Sequence, residues 1–418
     1  MSEKNILKTK KNRIEKKAAY LVLLCVFLAI CIVGAIPYYA SGTVESFIDG
    51  VFESVSAFTT TNATIVPVFS SMPNWLRLYR AICEWIGGAF SLVVLSLALK
   101  SFSYDENGLE VSSQDAGLYR SGIRIMSIVK RLLLTYTILT VVCTLVLWIL
   151  GNKPGDSLIL AFGTISTGGF PFAGISSKVS NATLTALLVF MVLTCISYTA
   201  YYHIIKKHFD KVFNSTELYG FLVMIGVGCI VVIAGLYLGG EYDFRQAVFN
   251  GVYHTISYAT TNGTNLVATL NWPALSRIAL RVVSLVGSCS VSAGSGIRVM
   301  RIIILVKLIA RGFTTRIHPL AVSSIKFNGK KVSGSMISAV FSYFLLFVAT
   351  YVLATFAFSF EATSLEEAFI LTNSLITNLG GIYTGFYSVV TKIIMCIVML
   401  LGRLEFYFCM IPFAFKEK

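Results

Sequence analysis

The strongest constraint on this chain is the length of its uninterrupted apolar runs. Stretches near 18–40, 79–99, 131–150, 183–205, 218–238, 336–358 and 389–413 are each long enough to cross about 30 Å of hydrocarbon as a helix. An eighth run, 275–310, is equally apolar but is interrupted by a Gly/Ser-rich centre. With 56% hydrophobic residues, 13% charged residues and a mean hydropathy of +0.77 over 418 residues, the chain is too apolar for a soluble globular protein. The predicted fold class is an all-α membrane protein with eight transmembrane spans.

A net charge of +14 would suggest nucleic acid as the partner of a soluble protein. Its distribution argues for a bilayer instead. Eight spans with a cytoplasmic N-terminus place seven Lys and Arg in 1–17, five in 100–131, three in 206–217, eight in 298–331 and two in the C-terminal FKEK on the inside. The outer ends hold Arg77, Arg80, Lys153, Lys178, Arg245, Arg277, Arg281 and Lys392. That asymmetry is the positive-inside bias and puts both termini in the cytoplasm of a multi-pass plasma-membrane protein. The first span follows KNILKTKKNRIEKK and lacks a small-residue cleavage site, so it is expected to be retained and not removed as a signal peptide.

Enzymatic machinery is not legible. There is no Walker motif, no GxGxxG after a strand and no hydrolase elbow. The nine cysteines all fall in apolar spans without a CxxC pair, and His203, His208, His254 and His318 have no ligand spacing. The cysteines read as small packing residues. No bound cofactor is expected.

Four internal repeats group the spans. Each has a long span, a half-length amphipathic segment, a Thr/Gly-rich loop and a second long span. The half-length segments and their loops are VESFIDGVFESVSAF with TTTNAT, GDSLILAFGTI with STGGF, FRQAVFNGVYHTISYA with TTNGTN, and SLEEAFILTNSLI with TNLGGI. Aligned, they put Asn62, Gly169, Gly263 and Gly380 in one column, with Thr59, Ser166, Thr260 and Thr377 three residues earlier. The expected domains are a basic N-terminus (1–17), repeat 1 (18–100), a linker (101–127), repeat 2 (128–206), a linker (207–215), repeat 3 (216–311), a linker (312–333) and repeat 4 with the C-terminus (334–418).

A half-helix that ends inside the protein leaves its last carbonyls unpaired, and the negative end of its dipole faces whatever lies beyond. Four such ends around one axis favour a cation. Glycine allows the following loop to turn carbonyl oxygens toward that axis, as in filters where carbonyl rings replace an ion's hydration shell. Non-helical backbone at this depth is tolerated where it is buried in protein or lines a water-filled path. Taken singly, any of these loops could instead be an ordinary turn rich in Thr and Gly.

Several segments carry a resemblance: RAICEWIGG (80–88), STGGF (166–170), VGSCSVSAGSGIRVMRIIILVK (286–307), IHPLAVSSIKFNGKKV (317–332) and MLLGRLEFYF (399–408). On these, over nearly its whole length from about residue 18, the chain resembles the Trk/Ktr/HKT superfamily of potassium transporters and is closest to the bacterial Trk-type membrane subunit. It departs from the larger Trk proteins by starting at the first repeat, without their extra N-terminal helix pair. The resemblance implies four M1–pore helix–M2 units around one ion path, channel-like uptake of potassium as the transported species, and a selectivity filter formed by Thr59, Thr60, Thr61, Asn62, Ser166, Thr167, Gly168, Gly169, Thr260, Thr261, Asn262, Gly263, Thr377, Asn378, Leu379 and Gly380.

It also implies an intramembrane gate loop over 287–296, with Gly287, Ser288, Ser290, Ser292, Gly294, Ser295 and Gly296. These are poor helix formers, although small residues also serve close helix packing. Arg403, inside the last span, is implied to face the path as an electrostatic barrier; the alternative is a structural pair with Glu84 or another helix, since Glu405 is two residues away and faces elsewhere. The implied partners are a second copy of the chain, forming a homodimer, and a separate cytoplasmic nucleotide-binding regulatory subunit.

Acidic residues near the outer ends, Glu45, Asp49, Asp156, Glu241, Asp243, Glu361, Glu366 and Glu367, could raise the local cation concentration or simply be solvated. Some suit the first turn of a pore helix. A sodium-permeable or weakly selective relative and a secondary carrier with broken helices are the competing readings. Each repeat has an even number of spans, so the four share one orientation, which argues against the inverted repeats of a carrier. Asparagine tolerates left-handed backbone better than most side chains, so Asn62 could keep the ring while weakening its discrimination.

Overall fold

The computed structural model describes residues 20–67, 71–102, 122–169, 179–240, 242–318 and 324–410. The basic N-terminus, most of the 101–127 linker, Phe170, Lys178 and Glu241 lie outside the described residues.

Among the described residues five helices are long and apolar enough to span a membrane: α1 (Tyr20–Ala40), α3 (Asn74–Phe102, spanning over Asn74–Leu95), α4 (Gly122–Ile149, spanning over Val129–Ile149), α9 (Thr216–Leu238) and α13 (Gly334–Phe358). They leave Val22, Leu134, Ile230 and Leu353 largely exposed on their outer faces. Such broad apolar exposure suits lipid and not water.

Between the members of each pair lies a half-length helix: α2 (Phe47–Phe58), α5 (Pro154–Ser166), α10 (Phe244–Ala259) and α14 (Leu365–Ile376). At 1.5 Å per residue these 12 to 16 residues reach roughly 18–24 Å, short of a full crossing. Their starts are encoded locally. Ser46 accepts the Asp49 amide, Ser364 accepts the Glu367 amide, and the Glu367 carboxylate accepts the Thr363 amide at 2.8 Å. These contacts satisfy orphan donors, and the acidic first turns of α2, α5 and α14 complement the dipole.

The second helices of repeats 2 and 4 are broken where uninterrupted spans are expected, and that of repeat 3 is broken at its expected Gly/Ser-rich centre. The run at 183–205 is two helices, α6 (Asn181–Cys195) and α7 (Tyr198–Ile205), bent by 90° at Ile196–Ser197. α8 (Phe209–Phe213) follows in the 207–215 linker. The run at 275–310 divides into α11 (Ala274–Val286) and α12 (Val299–Ile317), so the break extends beyond 296 to Arg298, and helix continues past the expected boundary at 311. The last run stops at α15 (Val389–Leu404), where Glu405 takes φ +66°, before α16 (Phe406–Met410). Glu405 is drawn out of the helix by two arginines: Arg298 Nε lies 2.9 Å from its carboxylate, and Arg301 Nη2 pairs with the other oxygen.

The only β-sheet among the described residues is a hairpin, β1 (Lys326–Phe327) with β2 (Lys330–Lys331), turned at Asn328–Gly329 with positive φ at both. It packs through Ile325, Phe327 and Val332 against Met300 and Ile304 of α12 and Met336 and Val340 of α13. The larger cores join neighbouring repeats: Phe52, Phe58, Leu371 and Met399 unite repeats 4 and 1, while Leu76, Tyr136, Leu160 and Leu187 unite 1 and 2.

Candidate functional site

Beyond each half-length helix the backbone repeats one pattern. φ is positive at Thr60 and Asn62, at Thr167 and Gly169, at Thr261 and Gly263, and at Asn378 and Gly380. Left-handed residues separated by one neighbour without positive φ take the backbone out of both helix and strand. The pattern is tied to the preceding helix by repeated bonds. The amides of Thr61, Asn262 and Leu379 each donate at 2.9 Å to a carbonyl five residues back, on Ser56, Ser257 and Ser374. Gly169, Gly263 and Gly380 donate to Gly163, Ser257 and Ser374. The hydroxyls of Thr59, Thr260 and Thr377 each donate at 2.7 Å to the carbonyl four residues back. Ser166 instead remains the last residue of its helix, and Thr167 caps it.

The four loops close on one another in sequence order. A Cβ on Gly169 would stand 2.2 Å from the Asn262 carbonyl oxygen, one on Gly263 1.7 Å from that of Leu379, and one on Gly380 1.5 Å from that of Thr61. Three seams therefore admit only glycine. At the fourth, between loops 1 and 2, Asn62 carries a side chain. Its Oδ1 lies 3.5 Å from Arg80 Nη2, its Nδ2 faces Gly169, and its carbonyl accepts the Gly381 amide at 3.2 Å. Loops 4 and 1 are further joined by Asn378 Nδ2 to Thr61 Oγ1 at 2.8 Å and by the Thr64–Tyr383 bridge. Gly87 and Gly402 of the second helices lie where any Cβ would strike the last carbonyls of their half-helices, Phe58 and Ile376, which explains the IGG and LLGR motifs.

Gly287, Ser288, Ser290, Ser292, Gly294, Ser295 and Gly296 form a buried, non-helical loop against these ends. The Ser295 amide donates to Thr261 Oγ1 at 2.9 Å. Cys289 and Ala293 amides donate to the carbonyls of Cys195 and Thr194, and the Val291 carbonyl accepts the Tyr198 amide at 3.0 Å. The break in helix 181–205 thus mates with the break in the third repeat. CISYT (195–199) has no Gly or Pro to announce it; its freed backbone groups are satisfied by the other broken chain. The Ser290 amide donates to Glu217 at 2.5 Å, at the start of α9, and the preceding residue's amide (Thr216) donates to Asn328 of the hairpin.

Arg403 is buried with its guanidinium between loop 2 and this broken segment. It donates to Ala293 O at 2.8 Å, Ser295 Oγ at 3.0 Å and Ser166 O at 3.2 Å. Neither Glu84 nor Glu405 pairs with it, so the structural pair weighed for it does not form. Arg80, expected near the outer ends, is instead fully buried behind loop 1, bonded to Glu53 and to the Ala63 carbonyl, with Glu84 3.3 Å from its Nε. Glu53 also accepts Thr64 Oγ1 and the Ile65 amide. Sequence spacing gave no hint of this network except the charges themselves in otherwise apolar runs. Of the outer acids, Asp49 pairs with Lys392 at 2.8 Å, and Glu366 pairs with Arg277. No cluster of His, Cys, Asp and Glu suited to a metal occurs among the described residues.

Spanning apolar helices wrapped around four pseudo-equivalent half-helices and their interlocked loops define a multi-pass helical membrane protein. A family model described as TrkH, cation transport protein, matches residues 2–418, and the chain belongs to that family of transport proteins. It is 29% identical over 429 residues to the Trk system potassium uptake protein TrkH of Escherichia coli K12, covering 97% of this chain and 86% of that protein. The TrkH of Salmonella typhimurium is 28% identical with the same coverage. The crystal structure of the potassium transporter TrkH from Vibrio parahaemolyticus superposes with a TM-score of 0.83 at 24% identity, covering 95% of this chain and 85% of that one, and shows the fold.

Proposed function

We propose that this protein is a channel-like uptake path for monovalent cations, with potassium as the transported substrate. The observation that carries the reading is the left-handed backbone repeated at Thr60/Asn62, Thr167/Gly169, Thr261/Gly263 and Asn378/Gly380, a conformation that would let loops from four chain segments present carbonyl oxygens to a cation. The names of the relatives from Escherichia coli and Salmonella typhimurium, potassium uptake proteins, support potassium as the cargo. Residues 59–62, 166–169, 260–263 and 377–380 would coordinate the ion. Segment 287–296 with Arg403 would obstruct the path beneath them.

Uptake in this reading is driven by the inward-negative membrane potential, about 2.3 kcal/mol per charge per 100 mV. The protein resides in the plasma membrane with both termini in the cytoplasm, works as a homodimer and responds to a cytoplasmic nucleotide-binding subunit docked on its basic inner loops. Asn62 favours a second reading within the same architecture, a path that admits sodium more readily than an all-glycine ring. Uptake by cells lacking their own potassium transport, competed with potassium, rubidium, sodium and lithium, tests both readings. Potassium and rubidium should compete best. Equal competition by all four ions refutes a selective path.

A further inference from the structure

Behind loop 2 lies a carboxylate that no structural role explains. Glu84 is 1% exposed. Its Oε1 lies 3.3 Å from Arg80 Nε, whereas its Oε2 is buried with no hydrogen-bond partner among the described residues. A buried unpaired carboxylate oxygen is costly and persists where something else compensates it. The neighbouring Glu53 differs: it holds Arg80 directly and accepts the Thr64 hydroxyl and the Ile65 amide. Arg80 therefore stands against two carboxylates, one with both oxygens bonded and one with a single oxygen near the guanidinium.

Glu84 Oε2 is aimed at loop 2. A Cβ added to Gly168 would lie 2.7 Å from it and one on Gly163 3.6 Å from it, so this oxygen packs directly against the bare backbone of loop 2. The same loop is held at Ser166 by the guanidinium of Arg403. Loop 2 thus runs between a fixed cation and a fixed anion.

We propose that Glu84 sets the affinity for the transported cation: its negative charge acts through the Gly168 backbone to raise ion affinity at the loop ring and offsets the field of Arg403. This rests on the reading of the four loops as the ion-coordinating ring. Loss of one unit charge several ångströms from a bound ion, at the effective dielectric of a protein site and partly offset by Arg80, weakens binding about tenfold.

The test is tracer rubidium uptake by the full chain in liposomes, read as separate KM and Vmax, beside potassium-dependent thermal stabilisation of the purified protein. Glu84→Gln keeps shape and removes charge; KM and the potassium concentration for half-maximal stabilisation should both rise about tenfold, well beyond any change in Vmax. Glu84→Asp, which keeps the charge but draws it back from Gly168, should give a smaller rise and serves if the Gln variant does not assemble. Unchanged KM in either variant overturns the proposal, as does a fall in Vmax alone, the mark of a purely structural residue. Gly263→Ala separates the two levels. If it leaves the preference for potassium over sodium intact, the ring reading fails; if it alters that preference while Glu84→Gln leaves KM unchanged, only the role of Glu84 fails.

Discussion

Gly380→Ala puts the interlocked loops to a quantitative trial. Gly380 has φ +63°, and a left-handed residue bearing a Cβ costs roughly 1–2 kcal/mol. The new Cβ would also stand 1.5 Å from the Thr61 carbonyl oxygen, so one strand must retreat by about 2 Å to regain ordinary contact. Neither is free to do so: the Thr61 amide is bonded to Ser56 at 2.9 Å, that of Gly380 to Ser374 at 3.3 Å and that of Gly381 to Asn62 at 3.2 Å. Forcing atoms into such a site adds typically 1–3 kcal/mol, for a total near 2–5 kcal/mol. Gly42→Ala is the internal control, because Gly42 has φ +68° with nothing within 4 Å of the added carbon and bears only the backbone cost. Thermal unfolding in detergent should rank wild type above Gly42→Ala above Gly380→Ala. In liposomes Gly42→Ala should transport normally while Gly380→Ala loses the preference for potassium over sodium, or transport altogether. Wild-type selectivity and stability in Gly380→Ala would refute the idea that the seams between loops are what hold the ring.

Three further outcomes are expected. Asn62→Gly should sharpen potassium over sodium permeability; equal permeability ratios in variant and wild type would sink this. Arg403→Gln removes bonds to Ala293, Ser295 and Ser166, each charge-assisted and worth about 1.5–3 kcal/mol, so the broken segment should leave its seat more often and unregulated flux should rise severalfold in single-protein conductance records. Past the end of α13, the Ser388 hydroxyl, then the Ser388 amide and Thr391 hydroxyl, hold the exposed Glu361 carboxyl below the usual carboxylate range. A depressed carboxyl contributes stability above its unfolded pKa and loses it as pH falls through the folded value. Glu361→Gln should therefore flatten the acid side of the stability profile and leave the alkaline side unmoved; an unchanged acid limb would dismiss this cap.

What the sequence disclosed follows from the physics it encodes. Apolar length marks spans, Ser and acidic residues mark helix starts such as Ser46 and Ser364, and glycine marks backbone that no side chain can follow. Repetition supplied the register: the column containing Asn62, Gly169, Gly263 and Gly380 is a column of positive φ. The missing features depend on contacts between distant segments. The elbow at Ile196–Ser197 exists because the broken third-repeat segment meets its exposed amides and carbonyls. Sequence position alone puts Arg80 among the outer charges, because nothing local shows that Glu53 and Glu84 await it inside. Arg403 likewise has backbone carbonyls as its main partners, which no charge pattern can anticipate.

The unequal seams have a mechanical consequence. A band closed by three rigid rivets and one pliable joint behaves as a split collar: strain from any direction is released at the joint. Here that joint is Asn62 against loop 2, and Arg80 stands behind it like a spring. Displacements of the four loops should therefore be lopsided, concentrated in one quadrant and damped in the other three.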